Sequence, residues 1–150
     1  MTFRVAATAI AVFLLDFATK ALVRHLMPGQ SSLPVIRGVL YLTHVRNPGA
    51  AFGLLANQTG LFIVITLAVV ALILYYARQV KGASPWMHVA LGLQLGGAMG
   101  NLVDRLRFGR VTDFLDFRVW PVFNLADSAI VVGVALFFWL MWRQAGAESE

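Results

Sequence analysis

The chain has 150 residues, of which 59% are hydrophobic and 13% are charged, and its formal net charge is +5. Soluble domains carry about 25% charged residues, so this composition predicts a protein whose main solvent is lipid. The sequence contains no cysteine, which excludes disulfides, thiolate nucleophiles and cysteine-based metal sites. The positive charge suits an anionic lipid surface, and the chain has no basic stripe on a soluble face that would indicate nucleic-acid binding.

Four apolar segments have the length needed to cross a hydrocarbon core, which takes about 20 helical residues. They are residues 5–23, 61–76, 86–103 and 125–142. The loops between them, residues 24–60 and 104–124, are too short for a second domain. We therefore predict an all-α membrane protein of four transmembrane helices, with residues 1–150 forming a single integral membrane domain.

Both loops contain segments that are typical of β-structure. Residues 35–45 are rich in β-branched and aromatic side chains, and Arg37-Gly38 within them predicts a turn or bulge. After Asn47 the composition favours a plain turn, and the alternative is a turn that leads into a short helical or re-entrant piece. In the second loop, residues 110–117 nearly alternate in character and predict a strand.

Acidic residues are concentrated in one stretch of this apolar chain. Four of the five aspartates lie between residues 96 and 128, namely Asp104, Asp113, Asp116 and Asp127. The fifth, Asp16, precedes Lys20 by four residues, which places both on one face of the first helix. We interpret them as a structural ion pair in which Lys20 extends towards the lipid headgroups, in preference to the alternative that the pair takes a direct part in catalysis.

The chemistry that these residues permit is that of carboxylates. The sequence has no His-Glu-x-x-His, no Gly-x-Ser-x-Gly and no phosphate-binding glycine loop with a lysine. If Asp113 and Asp127 meet, they cannot both ionise cheaply, so they would share one proton. One could then take a proton from water while the other donates one to a carbonyl oxygen, as in an aspartic peptidase.

The alternative is that the acids are structural. Asn124 and Asp127 have the spacing of a helix capping box, and the other acids could pair with arginines. If Asp127 does begin a helix, the helix dipole favours its negative charge, so we expect Asp113 to carry the shared proton. Asp116 lies three positions after Asp113 on the predicted strand and should face the opposite side, towards Arg107 or Arg118.

Five motif blocks follow one another along the chain. They are Asp16-x-x-x-Lys20, Asn47-x-Gly49-Ala50-Ala51-Phe52-Gly53, Gly96-Gly97-Ala98-x-Gly100-Asn101-Leu102-Val103-Asp104-Arg105, Val111-Thr112-Asp113-Phe114 and Phe123-Asn124-Leu125-Ala126-Asp127-Ser128. In these blocks and their order the chain resembles signal peptidase II, a bacterial family of intramembrane aspartic peptidases. The resemblance implies four transmembrane helices with a small β-cradle and a short helix on the outer membrane face.

The resemblance also implies roles for individual residues. Asp113 and Asp127 would be the catalytic pair. The remaining motif residues would bind the substrate backbone or order the site, and they are Asn47, Gly53, Asn101, Asp104, Arg105, Asn124, Asp16 and Lys20.

The family's activity gives the expected substrate and location. The enzyme would remove the signal peptide of a prolipoprotein just before a cysteine that carries a diacylglyceryl group, without a metal or organic cofactor. Expected partners are such prolipoproteins, membrane lipids and globomycin-type cyclic peptide inhibitors. The protein would be a monomer in the bacterial cytoplasmic (inner) membrane, with its active site near the outer, periplasmic face.

The distribution of basic residues conflicts with this orientation. With both termini inside, four of the 12 Lys and Arg residues fall on the inner side and eight on the catalytic side, whereas the positive-inside rule favours the reverse. We follow the resemblance, because several of the eight lie in its motifs and can pair with acids. Two rival hypotheses are a small transporter or channel component, which would spread its acids through the bilayer depth, and a non-catalytic membrane scaffold.

Overall fold

The computed structural model describes residues 2–27, 29, 31–49, 55–80 and 83–147. Within these ranges the chain forms four helices and three strands. In order they are α1 (Phe3–Leu26), β1 (Ser32–Ile36), β2 (Leu40–Asn47), α2 (Thr59–Gln79), α3 (Pro85–Phe108), β3 (Val111–Asp116) and α4 (Leu125–Ala147). The four predicted helices and the strands predicted in both loops are confirmed. The short helix expected after Asn47 falls largely on residues 50–54, outside the described ranges.

Three of the four predicted spans are long and apolar enough to cross a membrane: Phe3–Leu26, Thr59–Gln79 and Leu125–Gly146. The third predicted span, residues 86–103, belongs to the 24-residue α3, which has the length but not the apolar composition. The expectation of four spans recognisable by composition was therefore wrong for α3. Its glycines and polar side chains contact other helices, so α3 does not need the apolar surface of a helix that faces lipid.

Helix α3 lies at the centre of the bundle. It packs most extensively against α4 and α1, and also against α2. Glycines permit this close approach: a Cβ on Gly96 would lie 2.6 Å from the carbonyl oxygen of Ala9, and one on Gly97 would collide with that of Ala126. Small residues at helix contacts are the usual means of bringing helix backbones together in lipid.

Helix α3 also extends further than predicted. The predicted span ends at residue 103, but the helix continues to Phe108. Gly109, with a left-handed φ of 70°, then caps it by donating its N–H to the carbonyl oxygen of Arg105 at 2.9 Å. Asp104 and Arg105 thus lie on a rigid helix, one turn after Asn101.

The three strands form one antiparallel sheet in the order β1-β2-β3. Strands β1 and β2 are joined by the predicted turn at Arg37-Gly38, where Gly38 has φ of 80°. Strand β3 comes from the second loop and pairs with β2, placing Asp113 opposite Val45. The sheet therefore brings the two loops together beside the ends of the helices.

Apolar contacts fasten the sheet to the bundle. One buried cluster lies among the helices, and a second joins Val23 and Met27 at the end of α1 to Phe114 on β3. Many large apolar side chains on the outer faces of the helices are exposed, for example Val64, Leu67 and Phe138. Such a surface is expected of helices that face lipid.

Candidate active site

Asp113 lies on β3 with its carboxylate buried at 2% exposure. One oxygen accepts a hydrogen bond from Asn47 Nδ2 at 2.9 Å, and the other accepts one from Asn124 Nδ2 at 2.6 Å. Burial, and after it the nearby charge of Asp127, raise the pKa of Asp113 to about 7, although the two amide hydrogen bonds and the charge of Lys20 act in the opposite direction. This side chain can therefore hold or release a proton near neutral pH.

Asp127 lies in the first turn of α4, where the predicted capping box is confirmed. Its backbone N–H donates to Asn124 Oδ1 at 2.9 Å, and the N–H of Asn124 donates back to Asp127 Oδ2 at 3.3 Å. The second oxygen, Oδ1, accepts a hydrogen bond from Asn101 Nδ2 at 2.7 Å. The cap thus fixes the side chain of Asp127 without excluding a chemical role for its carboxylate.

Two asparagines connect the acids to each other. Asn124 Nδ2, which binds Asp113, also lies 3.2 Å from Asn101 Oδ1, and Asn101 in turn binds Asp127. Asn101 Oδ1 accepts a further hydrogen bond from Lys20 Nζ at 2.9 Å, which holds its amide oxygen towards Lys20 and its NH₂ towards Asp127. A helix-end asparagine and a mid-bundle asparagine therefore hold both acids in place.

The predicted ion pair of Asp16 and Lys20 is confirmed, with 2.7 Å between Nζ and Oδ2. The expectation that Lys20 extends to the headgroups was wrong, because its side chain is 1% exposed and points into the bundle. There it contacts Asn101 and lies 3.9 Å from Asp104. An ammonium inside a membrane protein is costly unless it is paired. Here Asp16, Asn101 and Asp104 supply the partners that stabilise the charge of Lys20.

Asp104 connects α3 to α1 and β3. It accepts hydrogen bonds from Arg24 Nη1 at 3.1 Å and from the backbone N–H of Thr112 at 2.9 Å, immediately before Asp113 in the chain. Sequence reasoning missed Arg24 and Thr112. Arg24 follows Lys20 by four residues, so the helical period places it on the same face of α1 and could have indicated it.

The predicted site residues divide into two groups. Five line a cavity of about 280 Å³: Asn47, Asn101, Arg105, Asp113 and Asp127. Four stand behind its wall and hold it: Asp16, Lys20, Asp104 and Asn124. Gly53 lies outside the described residues. Within the described ranges, no group of three or more His, Asp and Glu side chains could hold a metal ion.

Asp116 belongs to a different environment, as its position on the strand predicted. Its carboxylate accepts hydrogen bonds from Thr43 Oγ1 at 2.7 Å and from the backbone N–H of Arg118 at 2.8 Å. The Nε atom of Arg118 lies 3.5 Å from Asp116 Oδ2. Burial by itself would raise the pKa of Asp116, but its hydrogen bonds and the charge of Arg118 outweigh burial and lower the pKa. Of the two arginines considered, Arg118 is the partner, whereas Arg107 lies over the rings of Phe17 and Phe108.

An apolar groove adjoins the polar cavity along the start of α4. Its volume is about 590 Å³, and its walls include Phe117, Val119 and Val132. The groove and the cavity share Asp127, Trp120, Phe123 and Val131 as lining residues. A ligand with a polar part at the acids and an apolar part beside them would fit this arrangement.

Comparison with known proteins identifies the family. The model of signal peptidase (SPase) II matches residues 8–143. The chain belongs to the signal peptidase II family. It is 50% identical to the lipoprotein signal peptidase of Halothermothrix orenii over 135 residues, 90% of this chain and 92% of that protein. It is 49% identical to the lipoprotein signal peptidase of Moorella thermoacetica over 142 residues, 95% of each chain.

The fold is also similar to that of solved structures. A bacterial membrane enzyme solved by the in meso method superposes with a TM-score of 0.86 at 33% identity, covering 94% of this chain and 88% of the other. The resemblance inferred from the motifs is therefore confirmed. As a signal peptidase II, the chain is a multi-pass membrane protein and an aspartic protease that cleaves signal peptides from prolipoproteins.

Proposed function

We propose that this signal peptidase II cleaves the peptide bond before the diacylglyceryl-modified cysteine of a prolipoprotein, with Asp113 and Asp127 as its catalytic pair. The observation that carries the proposal is their position on one cavity wall, where asparagines hold both carboxylates. The raised pKa of Asp113 supports it, because a dyad needs one acid that keeps its proton near neutral pH.

The geometry supports different roles for the two acids, with Asp127 as general base and Asp113 as general acid in the first step. The N–H of Asn124, the amide of Asn101 and the start of α4 stabilise a negative charge on Asp127. Asp127 takes a proton from water as the water oxygen attacks the carbonyl carbon, and Asp113 donates its proton to the carbonyl oxygen. As the C–N bond breaks, Asp127 gives its proton to the leaving nitrogen and Asp113 recovers one from the tetrahedral intermediate.

Other residues of the site would bind or position rather than transfer protons. Arg105 and Asn47 line the cavity and carry N–H donors suited to peptide carbonyl oxygens. Asn101, Asn124, Asp16, Lys20 and Asp104 would keep the acids and the start of α4 in place, and Gly53 would belong to the same site. The apolar groove beside Asp127 would receive part of the lipid-modified segment, whose polar peptide bond lies at the acids.

We further propose that the protein acts as a monomer in the bacterial cytoplasmic membrane, with this cavity near the periplasmic face. The sheet and the cavity lie together at the ends of α1 and α3 and the start of α4. Three basic residues on that side are paired with acids, namely Lys20, Arg24 and Arg118, which weakens the charge argument for the reverse orientation. Globomycin-type cyclic peptides would inhibit by occupying the same cavity.

A gel-shift cleavage assay with the purified enzyme tests the function. The substrates are one prolipoprotein with the diacylglyceryl group on its cysteine and the same protein without it. We expect cleavage of the modified form only, just before the cysteine, and no product with Asp113→Asn. Equal cleavage of both forms would contradict the lipid requirement, and full activity of Asp113→Asn would contradict the dyad.

A further inference from the structure

A second cavity, of about 300 Å³, lies behind the strand that carries Asp113. Its lining residues are Arg24, Arg46, Phe108, Arg110, Val111 and Thr112. Arg46 pairs with Thr112 across the sheet, and Arg110 precedes Thr112 by two residues. Because strand side chains alternate, these residues share one face of the sheet, whereas Asp113 lies on the other. The arginine cavity therefore lies on the opposite face of β3 from Asp113, and Val111 is the one residue that lines both cavities.

The charges around the arginine cavity do not balance. Arg24 is paired with Asp104 at 3.1 Å, and this is the one ion pair that a cavity arginine makes among the described residues. Arg46 and Arg110 are exposed and add two further positive charges to the wall. Arginines that converge without acids repel one another, and an anion placed between them removes that repulsion.

The third arginine is held in a fixed position. Arg24 Nη1 donates to Thr112 Oγ1 at 2.9 Å as well as to Asp104, and its guanidinium lies 4.7 Å from the centre of the Phe108 ring. A guanidinium presents N–H donors in a planar fork that matches phosphate oxygens. The cavity thus combines one guanidinium in a fixed position, whose Nη1 already donates to Asp104 and Thr112, with two exposed arginines that form no ion pair among the described residues.

The surroundings of the cavity indicate which phosphate would bind. Helix α1 ends at Leu26 and α3 at Phe108, so the cavity lies at the ends of two helices. Leu22, Leu26 and Leu106 near these ends are 56%, 68% and 63% exposed. A lipid could lay its chains against this apolar surface while its phosphate reached the arginines, as basic residues at a membrane surface bind anionic headgroups.

We propose that the arginine cavity binds a phosphate group, and that its occupant is the headgroup of an anionic phospholipid. This would be a lipid site on the protein that is distinct from the substrate's own lipid. It does not depend on the proposed catalytic roles, because none of its three arginines lines the cavity with Asp113 and Asp127.

Thermal-shift titration of the purified full chain in detergent tests the site. The probes are dihexanoyl phosphatidylglycerol, dihexanoyl phosphatidylcholine and inorganic phosphate. The test variant is Arg46→Gln/Arg110→Gln, and the matched control, Arg37→Gln/Arg143→Gln, removes the same charge elsewhere. Arg24 is left intact because its loss would remove the closer of the two ion pairs of Asp104. The single variants Arg46→Gln and Arg110→Gln serve if the double variant does not fold.

We expect phosphatidylglycerol to raise the melting temperature of the wild type more strongly than the other two probes. The test variant should need about 10-fold more phosphatidylglycerol for half the shift, and the control should behave as the wild type. Equal losses in test and control variants would overturn the site. Inorganic phosphate as effective as phosphatidylglycerol would overturn the lipid assignment, and an equal response to phosphatidylcholine would overturn the preference for an anionic lipid.

Discussion

The carboxylate of Asp16 accepts a hydrogen bond from the backbone N–H of Ala126, 110 residues away in the chain, at 2.9 Å. Ala126 is in the first turn of α4 and directly precedes Asp127. The other oxygen of Asp16 binds Lys20. A single buried carboxylate on α1 therefore fixes where α4 begins, and with it the position of one of the two acids of the candidate site.

This relationship predicts a strong effect of Gly100→Ala. A Cβ at Gly100 would collide with Asp16 Oδ2, so the carboxylate would have to leave Lys20 and Ala126. We expect a loss of about 1–3 kcal/mol from overpacking, together with a large loss of cleavage. Thermal unfolding in detergent and the cleavage assay measure the two effects.

Gly60→Ala is the matched control for that substitution. Gly60 lies in α2 with open space around it, so alanine should leave activity unchanged and raise stability by up to about 1 kcal/mol. If Gly100→Ala behaved like Gly60→Ala, the close packing at Asp16 would have no importance for the site.

Asp113 and Asp127 should respond differently from Asp116 to substitution by asparagine. Asp113→Asn and Asp127→Asn should each reduce cleavage by about 10²–10⁴-fold or more, because asparagine cannot exchange the required proton. The double variant should be little worse than either one, since the two acids act as a unit. Asp116→Asn should keep most of its activity, because its partners are Thr43 and Arg118.

Steady-state rates of the purified variants, with circular dichroism to verify folding, measure this difference. Substantial turnover by Asp113→Asn or Asp127→Asn would rule out the pair. Inactivation of a well-folded Asp116→Asn would show that the wrong acid on β3 was chosen.

The dyad also predicts a bell-shaped dependence of cleavage on pH. The active form needs one protonated and one ionised acid. The alkaline limb should fall with an apparent pKa near the value of about 7 that burial and Asp127 impose on Asp113. The acid limb should fall as the pair takes up its second proton. Rates measured from about pH 4 to pH 9, with Asp116→Asn as control, should show both limbs, and a flat profile would exclude a shared proton.

The raised pKa of Asp113 should also appear in stability. A carboxyl whose pKa is higher in the folded than in the unfolded protein contributes stability below about pH 4 and loses it as the pH rises through its folded value. The pKa rises from 3.8 to about 7, and each unit corresponds to about 1.4 kcal/mol, so the full change is about 4 kcal/mol. The melting temperature of the wild type relative to Asp113→Asn should therefore fall between pH 4 and pH 8.

Asp116→Asn provides a control of opposite sign. The pKa of Asp116 is lowered. Its contribution to the free energy of unfolding is therefore already complete above about pH 4 and is lost only in more acidic solution. The wild type should stay more stable than Asp116→Asn by a constant margin from pH 5 to pH 8. A constant margin for Asp113→Asn as well would contradict the raised pKa.

Local sequence signals predicted most of the elements and two of the side-chain contacts. The capping box of Asn124 and Asp127 and the ion pair of Asp16 and Lys20 each join residues no more than four positions apart. Such spacings determine geometry as soon as a helix forms. The alternation of side chains along β3 is also a local signal, and it correctly predicted that Asp116 faces away from Asp113.

The incorrect or missing predictions involve partners that are distant in the chain. Lys20 points inward because Asn101, 81 residues away, accepts its hydrogen bond, and Arg24 binds Asp104, 80 residues away. The sequence predicted α3 as a helix, but it did not show that α3 lacks the apolar composition of the other three, because its surface is adapted to neighbouring helices. Nor could spacing reveal that Asn124 reaches Asp113 as well as capping α4.

The central position of α3 has a consequence for how the protein is made. A translocon recognises a nascent helix by its apolar character, and α3 is the least apolar of the four helices. Its partners on α1 are synthesised before it, but Asp127, which binds the amide of Asn101, and Ala126, which packs on Gly97, arrive with α4. Because unpartnered polar groups are costly in hydrocarbon, we expect α3 to become stable in the bilayer only once α4 has followed it, so that the two helices insert as one unit.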